Sequence, residues 1–216
     1  MPVRGVVVVA HGGKEVSTEP VTAVQPAVLR MIPVARAIRN ELRGSGAVVV
    51  RPLFRLRGWN GAEASPVNDL GNVLDEIRGR FGDVPVVLVG HSMGARAALR
   101  AAGHPAVTAV AGLAPWLPSG EPVNQLAGRR ILLAHGSADH LTNPGQTWDY
   151  ADRASSVGQV AALEVLDGDH PMLRRARLWH NIAAEFARVA LGLPGGEGKV
   201  ARTIDKASAK PGREVL

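Results

Sequence analysis

The sequence predicts an α/β protein: a three-layer α/β/α sandwich on a mostly parallel sheet of about six strands. Three observations predict it. Short runs of branched residues, such as Val6 to Ala10 and Val86 to Val89, are apolar at every position, the pattern of strands buried on both faces. Between these runs lie segments whose apolar residues recur at steps of three and four, the period of an amphipathic helix. Strands alternating with helices imply right-handed crossovers, which put helices on both faces of a parallel sheet.

The first strand, Val6 to Ala10, runs straight into His11-Gly12-Gly13. Ile32, Ala35, Ile38 and Leu42 mark a helix with Pro33 in its first turn, ended by Gly44-Ser45-Gly46. Ala47 to Leu53 is the second strand, followed by the arginine-rich loop Arg55 to Gly61. Ser65-Pro66 opens a helix with Val67, Leu70, Val73, Leu74, Ile77 and Phe81 on one side. Later strands are Val107 to Leu113, Ile131 to Ala134 and Val160 to Leu166, with helices at 95–102, 144–157 and 171–191. The domain spans 1–194. After Leu193 the periodicity stops, and 195–216, with five basic against three acidic residues, reads as a disordered basic tail.

Ligands of parallel α/β sheets bind at the carboxyl ends of the strands. His11-Gly12-Gly13, Ser92, Ala114-Pro115-Trp116, His135 to His140 and Gly168-Asp169-His170 all follow strands directly, so the chemistry-bearing residues converge on one edge. The most informative of these stretches is Gly90-His91-Ser92-Met93-Gly94, between the strand ending at Val89 and the alanine-rich helix beyond. A turn that tight strains Ser92 and needs glycine on both sides. This is the nucleophile elbow: it lifts the hydroxyl clear of the sheet and leaves the Met93 N–H free to bind an oxyanion.

Composition excludes several alternatives. With 216 residues, 46% of them apolar, the chain is long enough for one domain with a sizeable core. It has no cysteine, hence no disulfide framework, thiolate metal site or thiol nucleophile. The net charge of +6 is spread along helices with few aromatic residues, the pattern of a solvated face rather than a nucleic-acid surface. No apolar run near the start is long enough for a signal peptide or membrane span, which leads us to expect a soluble, cytoplasmic protein. No zinc helix motif, Gly-x-Gly-x-x-Gly or phosphate loop is present, so neither metal nor cofactor is expected.

On His11-Gly12-Gly13, Gly90-His91-Ser92-Met93-Gly94, His135-Gly136-Ser137-Ala138-Asp139 and Gly168-Asp169-His170, residues 5–192 resemble the α/β-hydrolases of the serine esterase, lipase and thioesterase kind. The family order of serine, acid and histidine is kept, with 47 residues from Ser92 to Asp139 and 31 from Asp139 to His170. The sheet is shortened at its start, where the family usually has two further strands. The resemblance implies His170 as the base that activates Ser92, and Asp139 as the carboxylate that orients the imidazole and stabilises its charged form. The other reading of Asp139 is a helix N-cap. Asp167 and Asp169 read as loop formers, and His11, His91 and His135 as packed imidazoles within turns. The second oxyanion donor comes from the loop after the first strand, with Gly13 favoured over Gly12 and Lys14.

The resulting expectation is a serine hydrolase acting on a small carboxylic ester or thioester through an acyl-enzyme on Ser92. A non-catalytic scaffold of the same fold, or acyl transfer or peptidase activity on the same three residues, are the alternatives. An aspartate-dependent dehalogenase or epoxide hydrolase is excluded, because serine occupies the elbow. Only 17 residues, 114–130, separate the two strands between which a helical lid is often inserted. They are rich in proline and glycine, so no large lid and an open cleft for short acyl groups are expected. Gly12, His91 and Trp116 are placed to line that cleft, although Trp116 could equally cap the core.

Overall fold

The computed structural model describes residues 2–195, 198–209 and 213–216. Met1 and residues 196, 197 and 210–212, the last five within the segment expected to be disordered, lie outside the described residues. Seven strands, β1 (Gly5–Ala10), β2 (Ala47–Val50), β3 (Val86–His91), β4 (Val107–Leu113), β5 (Arg130–Gly136), β6 (Gln159–Val165) and β7 (Arg213–Val215), form one sheet. Their order is β2-β1-β3-β4-β5-β6-β7 and every pairing is parallel. The first six are the strands the sequence predicts.

Helices α1 (Pro26–Glu41), α5 (Ala176–Ala190) and α6 (Lys199–Ala209) cover one face, and α2 (Ser65–Phe81), α3 (Met93–Ala101) and α4 (Pro144–Ala154) the other. The pleat of β1 explains why it is apolar throughout. Val7 and Val9 enter one core with Met31, Ile38, Trp179 and Phe186, while Val6, Val8 and Ala10 enter the other with Leu70, Leu74, Leu99 and Tyr150. Each fully buried branched side chain contributes roughly 1.5–3 kcal/mol. No described helix is long and apolar enough to cross a membrane.

Two elements differ from the sequence reading. The first helix begins at Pro26, so Pro33 sits in its interior and not in its first turn. Pro33 is on the solvent face, where water can serve the carbonyl that its missing N–H leaves free. The segment after residue 194 is not a disordered tail in its described part. Ala201 and Ile204 of α6 are buried to 1% exposure, the Ala201 amide donates to Glu185 at 2.6 Å, and β7 adds to the β6 edge with Arg213 paired to Glu164. Two buried residues and a three-residue strand are too short a pattern to stand out in sequence. They become ordered because β6 offers an unpaired edge and α5 an adjoining apolar face.

The strand order reverses direction at β1, with β2 on one side and β3 on the other. The loops after β1 and β3 therefore diverge around a crevice at a topological switch point, which is where open α/β sheets bind ligands. His11-Gly12-Gly13 follows the first of these strands and Ser92 the second.

Candidate active site

Ser92 joins β3 to α3 with φ 55 and ψ −120, a conformation that non-glycine residues seldom adopt. The flanking glycines permit it by close approach. A Cβ on Gly90 would lie 2.3 Å from the Gly94 carbonyl oxygen, and one on Gly94 would lie 2.3 Å from that of His11. Ala114, Asp167 and Met172 also have positive φ, so strained backbone gathers in the loops after β4 and β6 as well as at the elbow. Met93 opens α3, and its N–H has no acceptor within the helix.

Asp139 and His170, 31 residues apart, are brought together by the pairing of β5 with β6. The register sets Gly136 beside Val165, the Ser137 amide donates to the Val165 carbonyl, and the Ala138 amide donates to that of Gly168 at 3.0 Å. A Cβ on Gly136 would lie 2.1 Å from the Gly168 oxygen. Glycine at 136 thus lets the two turns touch. His170 Nδ1 lies 2.8 Å from Asp139 Oδ2, and His170 Nε2 lies 3.1 Å from Ser92 Oγ. The three side chains predicted to work together stand in one hydrogen-bonded row.

The Asp139 side chain is fully buried. Its Oδ1 accepts the Leu141 and Thr142 amides at 2.8 and 3.0 Å, and its Oδ2 accepts the Thr142 hydroxyl at 2.8 Å and His135 Nε2 at 3.0 Å. Burial opposes its charge, but the hydrogen bonds from His135, His170 and the Thr142 amide outweigh it and hold the carboxyl far below its usual range. The amide bonds close a turn over 139–142, while the helix beyond is capped by Asn143, so the carboxylate anchors a turn and faces His170 at once.

His135 is a member of this network that sequence reasoning missed. Its Nε2–H donates to Asp139, which leaves Nδ1 to accept from the Thr147 hydroxyl at 2.7 Å. The spacing of four residues to Asp139 was the available signal, but seven histidines offered no way to choose it. His91 is also held close. Its Nε2–H donates to the His170 carbonyl at 2.9 Å and the two rings lie 5.0 Å apart. Burial, reinforced by His170, pushes the His91 imidazole down to about 3.

The loop after β1 lies against the elbow. A Cβ on Gly12 would sit 3.3 Å from Ser92 Cβ, and one on Gly13 would strike the Met93 side chain at 2.3 Å. His11 Nδ1–H donates to the Gly12 carbonyl while Nε2 accepts the Phe54 amide, which fixes the turn. The Lys14 amide is committed to the Arg57 carbonyl at 2.8 Å, so Lys14 has no free N–H to offer an oxyanion.

The loops framing the site are tied down. Residues 14–21 are laced to 55–60 by backbone bonds from Arg57 to Glu19, Gly58 to Ser17, Trp59 to Lys14 and Asn60 to Glu15, forming a wall rather than a helical flap. Behind it, the Arg96 guanidinium lies 3.8 Å from the Trp59 ring centroid and 4.5 Å from that of Trp116, and is paired with buried Glu121 at 2.5 Å. Trp116 is half-buried, and its amide donates to the Ser92 carbonyl at 3.3 Å. This stack holds the segment between β4 and β5 against α3. No lid is inserted there; one short turn, Asn124–Leu126, is its only helix.

The fold is shared with known proteins. The structure matches an α/β serine hydrolase without lid from Xanthomonas campestris, with 23% identity, 91% of this chain and 85% of that chain covered, and a TM-score of 0.62. It also matches an alpha-beta serine hydrolase homologue from Coxiella burnetii, at 18% identity, 86% of each chain and a TM-score of 0.63. A third match is the esterase domain of a Rhodothermus marinus protein, at 16% identity, 89% of this chain and 88% of that chain, with a TM-score of 0.60. No curated protein sequence matches the chain. The family model described as "Alpha/beta hydrolase family" matches residues 6–207. With a model spanning nearly the whole chain, and a seven-stranded sheet carrying Ser92 at its switch point, this protein belongs to the alpha/beta hydrolase family.

Proposed function

We propose that this protein hydrolyses a small carboxylic ester or thioester through an acyl-enzyme on Ser92. The observation that carries the reading is the row Ser92 Oγ, His170 Nε2, His170 Nδ1 and Asp139 Oδ2, with separations of 3.1 and 2.8 Å. Asp139, kept ionised by its donors, fixes the tautomer in which His170 Nδ1 carries the proton and Nε2 is free to accept one. His170 takes the hydroxyl proton as Ser92 Oγ attacks the carbonyl carbon, and Asp139 stabilises the resulting imidazolium. The charge on the tetrahedral intermediate is received by the Met93 N–H and, from the opposing loop, that of Gly13. One such donor is worth roughly 3–4 kcal/mol of barrier. His170 returns the proton to the leaving alkoxide or thiolate. Water, deprotonated by the same imidazole, then releases the acid and restores Ser92.

The absence of a lid between β4 and β5 favours short acyl groups, since a long chain would remain in water. Support also comes from the structural neighbour that is itself an esterase domain. A fluorophosphonate probe should label Ser92 in the wild type and not in Ser92→Ala. Turnover of p-nitrophenyl esters from acetyl to palmitoyl should peak at short chains, with no jump in rate at the solubility limit. Failure to label would favour the non-catalytic scaffold, and a long-chain optimum with interfacial activation would overturn the open cleft.

A further inference from the structure

Beside the candidate active site lies a cavity of about 260 Å³ bordered by Gly12, Gly13, Lys14, Gln25, Arg30 and Arg57. It shares the loop after β1 with the candidate active site, where a Cβ on Gly12 would lie 3.3 Å from Ser92 Cβ. Three of its nine lining residues are cationic. Arg57 is spoken for, being paired with Glu19. Lys14 is exposed and enters none of the ion pairs among the described residues.

Arg30 is the unusual one. Its Nε is fully buried and has no hydrogen-bond partner, and no described carboxylate lies within ion-pair distance of it. It also lines a second, largely apolar cavity with Leu29, Pro33, Met172 and Leu173. That burial lowers its guanidinium pKa, and Asp169 only partly offsets the effect. Asp169 is itself engaged, since its Oδ1 accepts the Leu173 and Arg174 amides. A buried guanidinium N–H left without an acceptor costs about 1–3 kcal/mol, and buried polar groups are as a rule satisfied. Because Nε is itself closed off, an acceptor in the first cavity would be met by the terminal N–H groups of Arg30.

We infer that Arg30, assisted by Lys14, binds an anionic group carried by the substrate, a carboxylate or a phosphate. On this inference, which rests on the proposed hydrolase reading, the preferred substrates are esters bearing a negative charge on the acyl or the alcohol part. Arg30 is suited to the task because its planar fork can bind either oxyanion with two parallel hydrogen bonds. The apolar flank keeps the contact out of bulk water and so strengthens it.

The test compares esters that differ in charge alone. The p-nitrophenyl monoester of glutarate is paired with p-nitrophenyl pentanoate for charge on the acyl side, and 3-acetoxypropanoate with propyl acetate for charge on the alcohol side. The wild type should favour the anionic member of at least one pair by tenfold or more in kcat/KM. Arg30→Gln should collapse that ratio at least tenfold, mainly through KM, and Arg30→Lys should keep part of it. In parallel, calorimetric titration of the Ser92→Ala protein with glutarate and with inorganic phosphate should show binding of at least one, weakened tenfold by adding Arg30→Gln. Glutarate binding alone would identify a carboxylate site and phosphate binding alone a phosphate site.

The inference is overturned if neither ion binds, if Arg30→Gln binds equally well, or if glutarate binds and yet neither pair shows a charge preference while the esters are turned over. The hydrolase reading fails separately: no ester would be hydrolysed, yet the ions would still bind in an Arg30-dependent way.

Discussion

His135 and His170 donate to the same carboxylate oxygen, Oδ2 of Asp139, from 3.0 and 2.8 Å. One imidazole points on to Ser92 Oγ, and the other is closed off by the Thr147 hydroxyl. The arrangement makes His135 a brace: it fixes the carboxylate from behind so that Asp139 presents itself to His170 in one orientation. On the proposed mechanism, Ser92→Ala and His170→Ala should each lower kcat on p-nitrophenyl butyrate by at least about 10⁴-fold, and Asp139→Asn somewhat less. His135→Gln should cost roughly 10-fold to 100-fold in kcat with little change in KM, because it disturbs orientation rather than binding. Steady-state kinetics on the four variants check the ranking; near-normal turnover by His170→Ala would remove it as the base.

The depressed pKa of His91 predicts an acid sensitivity. Unfolded, this imidazole takes a proton near pH 6.5, whereas in the folded protein burial delays protonation to about 3. Below pH 6.5 the unfolded chain therefore binds a proton that the native state refuses. The stability associated with neutral His91 is fully present above pH 6.5 and falls as pH drops toward 3, by about 2 kcal/mol at pH 5. His91→Gln should be less stable than wild type at pH 8, but should lose less on acidification. Thermal midpoints of both proteins between pH 8 and pH 5 should converge, and parallel curves would refute the assignment.

Glu121 tests the clamp behind the site. It is 4% exposed and accepts bonds from both Arg96 and Arg100 at 2.7 Å. Burial raises its pKa, yet those two arginines more than compensate and keep it below the usual value. Glu121→Gln would leave the sandwiched Arg96 charge without its partner, which for buried pairs costs about 3–5 kcal/mol. Replacing Trp116 by Leu should cost less, since Arg96 would retain Trp59 and Glu121. Urea unfolding of the two variants gives the order directly.

The carboxyl-terminal segment provides a stability prediction. Ile204 is 1% exposed and joins the core that contains Phe186 and Trp179. Ile204→Ala should destabilise by about 2–4 kcal/mol, equivalent to a thermal midpoint lowered by roughly 4–16 °C. Deleting 196–216 should lower it at least as far, because the β6 edge and the α5 face would then be uncovered. An unchanged midpoint in either variant would show that the segment adds nothing to the core.

The sequence by itself determined six of the seven strands and their edge of chemistry. Runs such as Val6 to Ala10 report burial on both faces within a few residues, and Gly90 and Gly94 announce the sharp turn at Ser92 because no other residue would fit there. These are local requirements, written in consecutive positions. Other features depend on which strand lies beside which. The meeting of Asp139 with His170 across β5 and β6 could be anticipated only through family resemblance. The hold of His135 on Asp139, the stacking of Trp59 and Trp116 on Arg96, the lacing of 14–21 to 55–60 and the docking of Ile204 join residues far apart in sequence or ambiguous locally. A histidine at a strand end reads the same whether it braces a carboxylate or merely fills space. Only tertiary structure decides that, because the partner that gives the residue its role is supplied by another part of the fold.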